Sequence, residues 1–188
     1  MGHEFYTAIE DNPIIAAIAD VKQVDEAIKS PCKIVFLLTG DILNIEDIVR
    51  QLREKGKLVY VHLDLIGGFS KDTTALKYII KNIKPDGIIT TKSNLVKAAK
   101  ELKIFTIQRL FILDSLSLVS GINSIKSIRP DAVEILPGIM PTIIEEIRIE
   151  TRIPVIAGGL IRDKSDVIGS LNAGAVGIST SNKKVWYM

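Results

Sequence analysis

The chain has 188 residues, which suits one hydrophobic core of ordinary size and is short for two domains. Hydrophobic residues make up 47% of the chain and charged residues 24%, a composition that excludes disordered, collagen-like and low-complexity proteins. The 24 Lys and Arg residues nearly balance the 22 Asp and Glu residues, so the net charge of +2 excludes a strong overall attraction to nucleic acid or to an anionic membrane.

The cysteine content and the lengths of the apolar segments indicate a cytoplasmic protein with no membrane contact. Cys32 is the single cysteine, which excludes an intramolecular disulfide, and we expect it to pack in the core before a strand. No apolar run reaches the roughly 18 residues of a membrane span. Residues 1–10 lack the basic start and apolar stretch of a signal peptide, and we assign His3 to a flexible start of the chain.

Short runs rich in Ile and Val alternate with longer stretches of helical period along the whole chain. Predicted strands begin at Ile14, Lys33, Leu58, Gly87, Phe105, Ala132, Pro154 and Ala175. This count leaves roughly 23 residues for each strand with its helix, near the minimum for a βα unit. The sequence therefore predicts an α/β protein, a compact (β/α)8 TIM-type barrel with short loops and a single domain over 1–188, with an open doubly wound sheet as the alternative.

Start and stop signals place helices between these strands. Asp72, Ser93 and Asp163 precede apolar runs of helical period. The sequences KPDG at 84–87 and RPDA at 129–132 look like one helix-to-strand loop used twice. In a parallel sheet, ligands bind where strands end and helices begin, so polar residues at the carboxyl ends of the strands are the candidate site.

The last two predicted strands end in residues that are typical of a phosphate site. Gly158 and Gly159 let backbone N–H groups approach an anion closely, and the hydroxyls of Ser179, Thr180 and Ser181 follow the next strand. The final two units of a barrel often share such a site. We therefore predict that these residues bind phosphate, with a simple tight turn at the glycine pair as the alternative.

Five further polar residues lie near the ends of the middle strands: His62, Asp64, Lys92, Arg109 and Glu134. The third strand is predicted to run from 58 to 65, and its period of two places His62 and Asp64 on one face. Burying such groups separately, without partners, costs about 1 to 3 kcal/mol each. We therefore expect one cluster that surrounds a ligand.

The same cluster admits catalytic and purely structural interpretations. Asp64 and Glu134 suit an acid and base pair or a divalent cation site, and Lys92 suits an amine nucleophile. Alternatively, Glu134 pairs with Arg109 or Lys92, Lys92 neutralises a ligand phosphate, and His62 is a buried histidine bonded to backbone. No HExxH or CxxC type of spacing is present. We predict no catalytic residue, no metal site and no cofactor.

Two lysine trios are the best candidates for a nucleic-acid surface. Lys77, Lys81 and Lys84 lie on the helix after the third strand, and Lys97, Lys100 and Lys103 on the helix after the fourth. Their spacing of three and four places each trio on one helical face, and consecutive helices are neighbours in a barrel. The alternative is an ordinary solvated face, since aromatic residues make up only 5% of the chain and no stacking platform for RNA is visible.

The sequence resembles the glycerol-3-phosphate-responsive antiterminator family, the glycerol uptake operon antiterminator regulatory proteins. Six segments carry the resemblance, in family order: VHLDLIGG (61–68), KPDGIITTKSN (84–94), QRLFILDS (108–115), PDAVEILPG (130–138), IPVIAGGLI (153–161) and AGAVGISTS (173–181). Together they cover almost the whole chain.

This resemblance implies a cytoplasmic regulator rather than an enzyme. In such a regulator, glycerol 3-phosphate favours association with leader mRNA, and transcription then passes a terminator. It implies that the glycines and hydroxyls above surround the phosphate and that the polar cluster surrounds the glycerol hydroxyls or the anion. A homodimer would offer paired basic faces to RNA. The alternative is a barrel enzyme that acts on a small phosphorylated polyol or sugar, with Asp64 and Glu134 as acid and base.

Overall fold

A computed structural model describes residues 2–188 and shows a closed barrel of parallel strands. The strands are β1 (Ile14–Ile18), β2 (Ile34–Leu37), β3 (Leu58–His62), β4 (Gly87–Thr90), β5 (Phe105–Phe111), β6 (Ala132–Leu136), β7 (Val155–Gly158) and β8 (Gly177–Thr180). Each strand pairs with the next in the chain, and β8 pairs with β1. The predicted (β/α)8 barrel is confirmed, and the β1–β8 pairing excludes the open sheet.

Helices surround the barrel. They are α1 (Gly2–Asp11), α2 (Val24–Lys29), α3 (Ile45–Glu54), α4 (Thr73–Tyr78), α5 (Ser93–Glu101), α6 (Ser115–Ile128), α7 (Pro141–Thr151), α8 (Lys164–Asn172) and α9 (Lys183–Trp186). A π-helical turn, Ile79–Ile83, extends α4. The Asp72 and Asp163 side chains accept backbone N–H groups of the first turns of α4 and α8, as their sequence positions predict. Within residues 2–188, no helix is long and apolar enough to cross a membrane.

Apolar side chains on both faces of the strands explain the continuous hydrophobic runs in the sequence. One cluster fills the barrel interior and includes Ile15, Phe36 and Ile107. The other lies between the barrel and the helices and includes Val35 and Cys32, which is buried as expected. Strands buried on both faces lose the alternation of polar and apolar residues that marks a half-exposed sheet.

The start of the chain is an ordered helix, so the prediction of a flexible start at His3 is wrong. Helix α1 buries Phe5, whose ring stacks on Phe105 with centroids 4.7 Å apart. The Tyr6 hydroxyl donates a hydrogen bond to the Asp131 backbone oxygen over 2.8 Å. Phe105 and Asp131 stand at the amino ends of β5 and β6, so α1 closes that end of the barrel. The spacing of Phe5 and Ile9 was a usable signal for this helix.

The third strand ends at His62, earlier than predicted, and Leu63–Leu65 form a single 3₁₀ turn. The argument that period two places His62 and Asp64 on one face is therefore wrong. The Asp64 carboxylate instead accepts hydrogen bonds from the Thr91 amide at 2.7 Å and from the Thr90 hydroxyl at 3.0 Å. These contacts, across to the end of β4, hold the chain in a turn.

Candidate functional site

A cavity of about 480 Å³ lies where the final strands meet their loops. Its lining comes from the carboxyl ends of β5 and β6, from the β7–α8 and β8–α9 loops, and from the end of β1. The lining residues are Ala17, Ala19, Leu38, Arg109, Glu134, Leu136, Gly159, Leu160, Ile161, Arg162, Ser179, Thr180, Ser181 and Asn182. A space of this size accommodates a small phosphorylated molecule.

A buried ion pair lines one side of the cavity. Arg109 and Glu134 occupy paired positions on β5 and β6, and Arg109 Nε lies 2.6 Å from Glu134 Oε2. The two side chains are only 6% and 1% exposed. Because both charges are almost fully buried, each depends on the other for its stability in the barrel. The interpretation that Glu134 pairs with Arg109 is confirmed.

The two loops predicted to bind phosphate lie against each other. The Thr180 hydroxyl donates to the Ile161 carbonyl over 3.2 Å, and the Asn182 side-chain amide donates to the Arg162 carbonyl over 2.8 Å. Trp186 on α9 donates its indole N–H to the Thr180 carbonyl over 2.7 Å. These bonds fix the β8–α9 loop beside the β7–α8 loop, so donors from both loops can reach one ligand.

Several polar donors in these loops are not used by the protein itself. The amide of Arg162 donates to Asp166, and that of Asn182 to the Thr180 hydroxyl. Within residues 2–188, the amides of Leu160, Ile161 and Ser181 have no hydrogen-bond acceptor. The hydroxyls of Ser179 and Ser181 also have none in this part of the chain. A group that supplies several acceptors, such as phosphate, matches this set of donors.

The glycine pair has a structural role as well. A Cβ at Gly158 would lie 2.6 Å from Glu134 Oε1, so only glycine lets the carboxylate approach the strand this closely. Gly159 and Leu160 both adopt left-handed backbone conformations, with φ of 73° and 59°. For leucine this conformation is strained, and such strain is often retained at ligand sites. Gly158 itself does not line the cavity.

Four of the predicted ligand residues lie outside the cavity lining: Gly158, His62, Asp64 and Lys92. Asp64 is bound to Thr90 and Thr91, as described above, and Lys92 Nζ lies 3.3 Å from the Lys71 backbone oxygen. Burial alone raises the pKa of Asp64, but the hydrogen bonds from Thr91 and Thr90 outweigh burial and hold the pKa below its usual value. Thr90 and Thr91 therefore hold the Asp64 carboxylate at the end of β4, outside the cavity lining.

His62 is buried at the end of β3, close to Arg109 and Asp64. Its side chain is 2% exposed, and Nδ1 has no hydrogen-bond partner among residues 2–188. Burial, and next the charge of Arg109, lower the pKa of His62 to about 4. The imidazole is therefore neutral at pH 7.

We expect the protein to lose about 2 kcal/mol of unfolding free energy through His62 between pH 7 and pH 5. The folded-state pKa lies below that of the unfolded chain, so in this range the unfolded state binds a proton that the folded state does not, and stability falls as the pH falls. The measurement is thermal unfolding at both pH values for the wild type and for His62→Gln. A variant with the same loss as the wild type would contradict the assignment.

The described part of the chain has no evident metal-binding site. Residues 2–188 contain no group of three His, Cys, Asp or Glu side chains arranged to hold one. The cavity is instead lined by the buried guanidinium of Arg109, the guanidinium of Arg162, and backbone amides and side-chain hydroxyls that have no hydrogen-bond acceptor among the described residues. These groups suit the binding of an anion.

The two lysine trios do not form the predicted helical faces. Helix α5 ends at Glu101, so Lys103 lies beyond it, and Lys84 follows the π-helical turn. Both residues have left-handed backbones, with φ of 58° and 54°. The Lys100 ammonium lies against the backbone oxygens of Ile128 and Arg129, at the end of α6. The prediction from residue spacing is wrong because it assumed that both helices continue through Lys84 and Lys103.

The sequence model of the family described as glycerol-3-phosphate responsive antiterminator matches residues 14–186. The chain belongs to this family. Uncharacterized protein YgcP of Escherichia coli (strain K12) is 38% identical over 178 residues, which cover 95% of this chain and 93% of that protein.

Two crystal structures support the family assignment. The glycerol uptake operon antiterminator regulatory protein of Listeria monocytogenes str. 4b F2365 is 34% identical with a TM-score of 0.91, over 94% of this chain and 95% of that one. The glycerol uptake operon antiterminator-related protein of Thermotoga maritima MSB8 is 34% identical with a TM-score of 0.84, over 93% and 98%. The resemblance stated from the sequence is confirmed.

The structure adds residues to the predicted site. Of the residues predicted from sequence, Gly159, Ser179, Thr180, Ser181, Arg109 and Glu134 line the cavity. Arg162 and Asn182 belong to the two sequence segments that indicated a phosphate site, 156–162 and 178–182, but they were not among the predicted site residues. Asn182 is the N-cap of α9. Leu38 and Ala17 carried no sequence signal for a ligand site.

Proposed function

We propose that this protein is a transcription antiterminator that binds glycerol 3-phosphate in the cavity between the β7–α8 and β8–α9 loops. The observation that carries the proposal is the contact between these loops, which brings the unused amides of Leu160, Ile161 and Ser181 to one cavity. Family membership supports the choice of ligand. No second function has an observation of equal weight.

The cavity suggests how the ligand is oriented. The amides of Leu160, Ile161 and Ser181, the hydroxyls of Ser179 and Ser181 and the guanidinium of Arg162 bind the phosphate, because they combine fixed dipoles with a mobile positive charge. The Arg109–Glu134 pair lies on another side of the lining and supplies a donor and an acceptor to the glycerol hydroxyls. A ligand role for Gly158, His62, Asp64 and Lys92 stays a prediction.

The partner in this proposal is leader mRNA. Glycerol 3-phosphate would order the two loops, and RNA would bind better to the ordered state, because a ligand shifts a conformational equilibrium only through unequal affinity for its states. Antitermination acts on a growing transcript, so we place the protein in the cytoplasm. A homodimer remains part of the proposal as a way to present two RNA surfaces.

We expect glycerol 3-phosphate at 100 times its Kd to stabilise the protein by about 2.7 kcal/mol, which raises Tm by about 5 to 10 °C. Glycerol lacks the phosphate and inorganic phosphate lacks the polyol, so each alone should give a much smaller shift at equal concentration. The measurement is differential scanning fluorimetry across these compounds and dihydroxyacetone phosphate. Equal shifts with inorganic phosphate would reduce the site to a general anion site, and no shift with any compound would contradict ligand binding.

A further inference from the structure

Four consecutive turns at the amino end of the barrel place a basic residue in a left-handed backbone conformation. Lys84, Lys103, Arg129 and Arg152 end the segments of α4, α5, α6 and α7 and lead into β4, β5, β6 and β7, with φ of 54°, 58°, 53° and 56°. We call these residues the basic arc. Because adjacent helices pack about 8 to 10 Å apart, we expect neighbouring members of the arc to be separated by about the same distance.

The backbone alone does not explain these side chains. The left-handed region is unfavourable for residues with a Cβ and favours glycine or asparagine. The equivalent turns on both flanks of the arc use glycine, Gly56 with φ of 76° before β3 and Gly174 with φ of 96° before β8. A cation near a helix carboxyl end gains from the helix dipole, but Gly56 and Gly174 show that the fold completes such turns without one.

The basic arc is exposed, and its charges are free. None of its members is in a salt bridge within residues 2–188, and all are exposed. Each member of the arc has an acidic residue two positions away in sequence: Asp86, Glu101, Asp131 or Glu150. Glu150 pairs with Lys126. The carboxylates of Asp86 and Asp131 accept the backbone N–H groups of Val59 and Thr106, each over 2.8 Å. These carboxylates are therefore engaged by the edge of the sheet.

Acidic residues of α1 lie on the same rim. Glu4 and Asp11 line a shallow cavity with Lys33, Gly56 and Leu58. Burial, and also the charge of Glu4, raise the pKa of Asp86 in the turn that follows Lys84. Asp86 and Glu150 are paired with Arg53 and Lys126, whereas the four cations of the arc are exposed and have no ion pair among the described residues. These unpaired cations provide a local positive surface on a chain whose net charge is only +2.

We propose that the basic arc binds the phosphate backbone of RNA. The inference rests on the proposed function. Of the two predicted lysine trios, it keeps Lys84 and Lys103 in the RNA surface and adds Arg129 and Arg152. The arc lies at the opposite end of the barrel from the cavity, so the phosphate of the small ligand does not compete with RNA for the same cations. Strands β5, β6 and β7 run from Lys103, Arg129 and Arg152 to Arg109, Glu134 and Gly158, which joins the two ends through short rigid elements.

The test is a variant in which Lys84, Lys103, Arg129 and Arg152 are all replaced by Asn, which tolerates the left-handed conformation. The RNA probe is a transcript of the leader of a glycerol uptake operon, with poly(U) as the unrelated sequence, each with and without glycerol 3-phosphate. A control variant, Lys77→Gln/Lys81→Gln/Lys97→Gln, removes three exposed positive charges from the helix faces. Measuring the Tm of each variant with and without glycerol 3-phosphate checks that the variant is folded and still binds the small ligand.

We expect the arc variant to bind RNA more weakly and with a smaller salt dependence. Four phosphate contacts contribute a slope of about −3 to log Kobs against log salt, so raising salt from 50 to 200 mM should weaken the wild type about 50- to 150-fold more than the arc variant. The helix-face variant should keep the wild-type slope. If the arc variant keeps the wild-type RNA affinity and salt slope, the inference is wrong but the proposed function still stands. The inference is also wrong if only the helix-face variant loses RNA affinity. No RNA binding by the wild type would overturn both the inference and the RNA part of the proposed function.

Discussion

Replacing Glu134 by Met is expected to lower the free energy of unfolding by about 3 to 5 kcal/mol. The substitution keeps a similar volume but leaves the Arg109 guanidinium buried without its carboxylate, which lies 2.6 Å away in the wild type. For a chain of this length the change corresponds to a Tm lower by about 6 to 20 °C. Thermal unfolding and urea denaturation at pH 7 measure it.

The double variant Arg109→Met/Glu134→Met is the control for this prediction. It removes both charges, so no buried charge is left unpaired, and stability should return to near the wild-type value or exceed it. If the single and double variants were equally destabilised, lost packing would explain the effect. If Glu134→Met were as stable as the wild type, the ion pair would not be buried in solution.

Replacing Arg162 by Met is expected to weaken the binding of glycerol 3-phosphate about 10- to 150-fold. A hydrogen bond to a charged group contributes about 1.5 to 3 kcal/mol, which corresponds to this range of affinity. Arg162 lines the cavity and has no salt bridge within the described residues, so its charge is available to a phosphate. Isothermal titration calorimetry at fixed ionic strength measures the change in Kd.

Lys164→Met provides the matched control. Lys164 is the first residue of α8, is exposed and does not line the cavity. Its removal changes the net charge by the same amount, and at physiological salt an exposed charge beyond about 8 Å is largely screened. An equal loss of affinity in both variants would indicate only a general electrostatic attraction, and unchanged affinity in Arg162→Met would exclude Arg162 from the phosphate site.

The two proposals assign a different ligand to each end of the barrel, glycerol 3-phosphate to the cavity and RNA to the basic arc. Each of β5, β6 and β7 begins two or three residues after a member of the arc. Strands β5 and β6 contain residues that line the cavity, and β7 ends directly before the lining residue Gly159. Shared strands make coupling between the ends physically plausible, but coupling requires two states with different affinities for both ligands. Measuring RNA affinity with and without glycerol 3-phosphate in Arg162→Met tests whether occupancy of the cavity is what RNA binding senses.

The sequence predicted the barrel because its signals are local. Buried strands such as β2 and β7 appear as short apolar runs, and turn residues such as those at 84–87 separate helix from strand. Repetition of this unit along one chain leaves few possible topologies. The glycine pair and the hydroxyls after β8 followed from the same reasoning, since both come directly after predicted strands.

Only the tertiary structure decided which polar residues share the cavity. Arg109 and Glu134 meet because β5 and β6 pair in one register, whereas Asp64 turns away to the end of β4. Likewise, the left-handed ends of α4 and α5 remove Lys84 and Lys103 from the helical faces that spacing predicted. Periodicity describes neighbours along the chain, but the partners of a side chain lie some 25 residues away, and their positions depend on how strands and helix ends pack together.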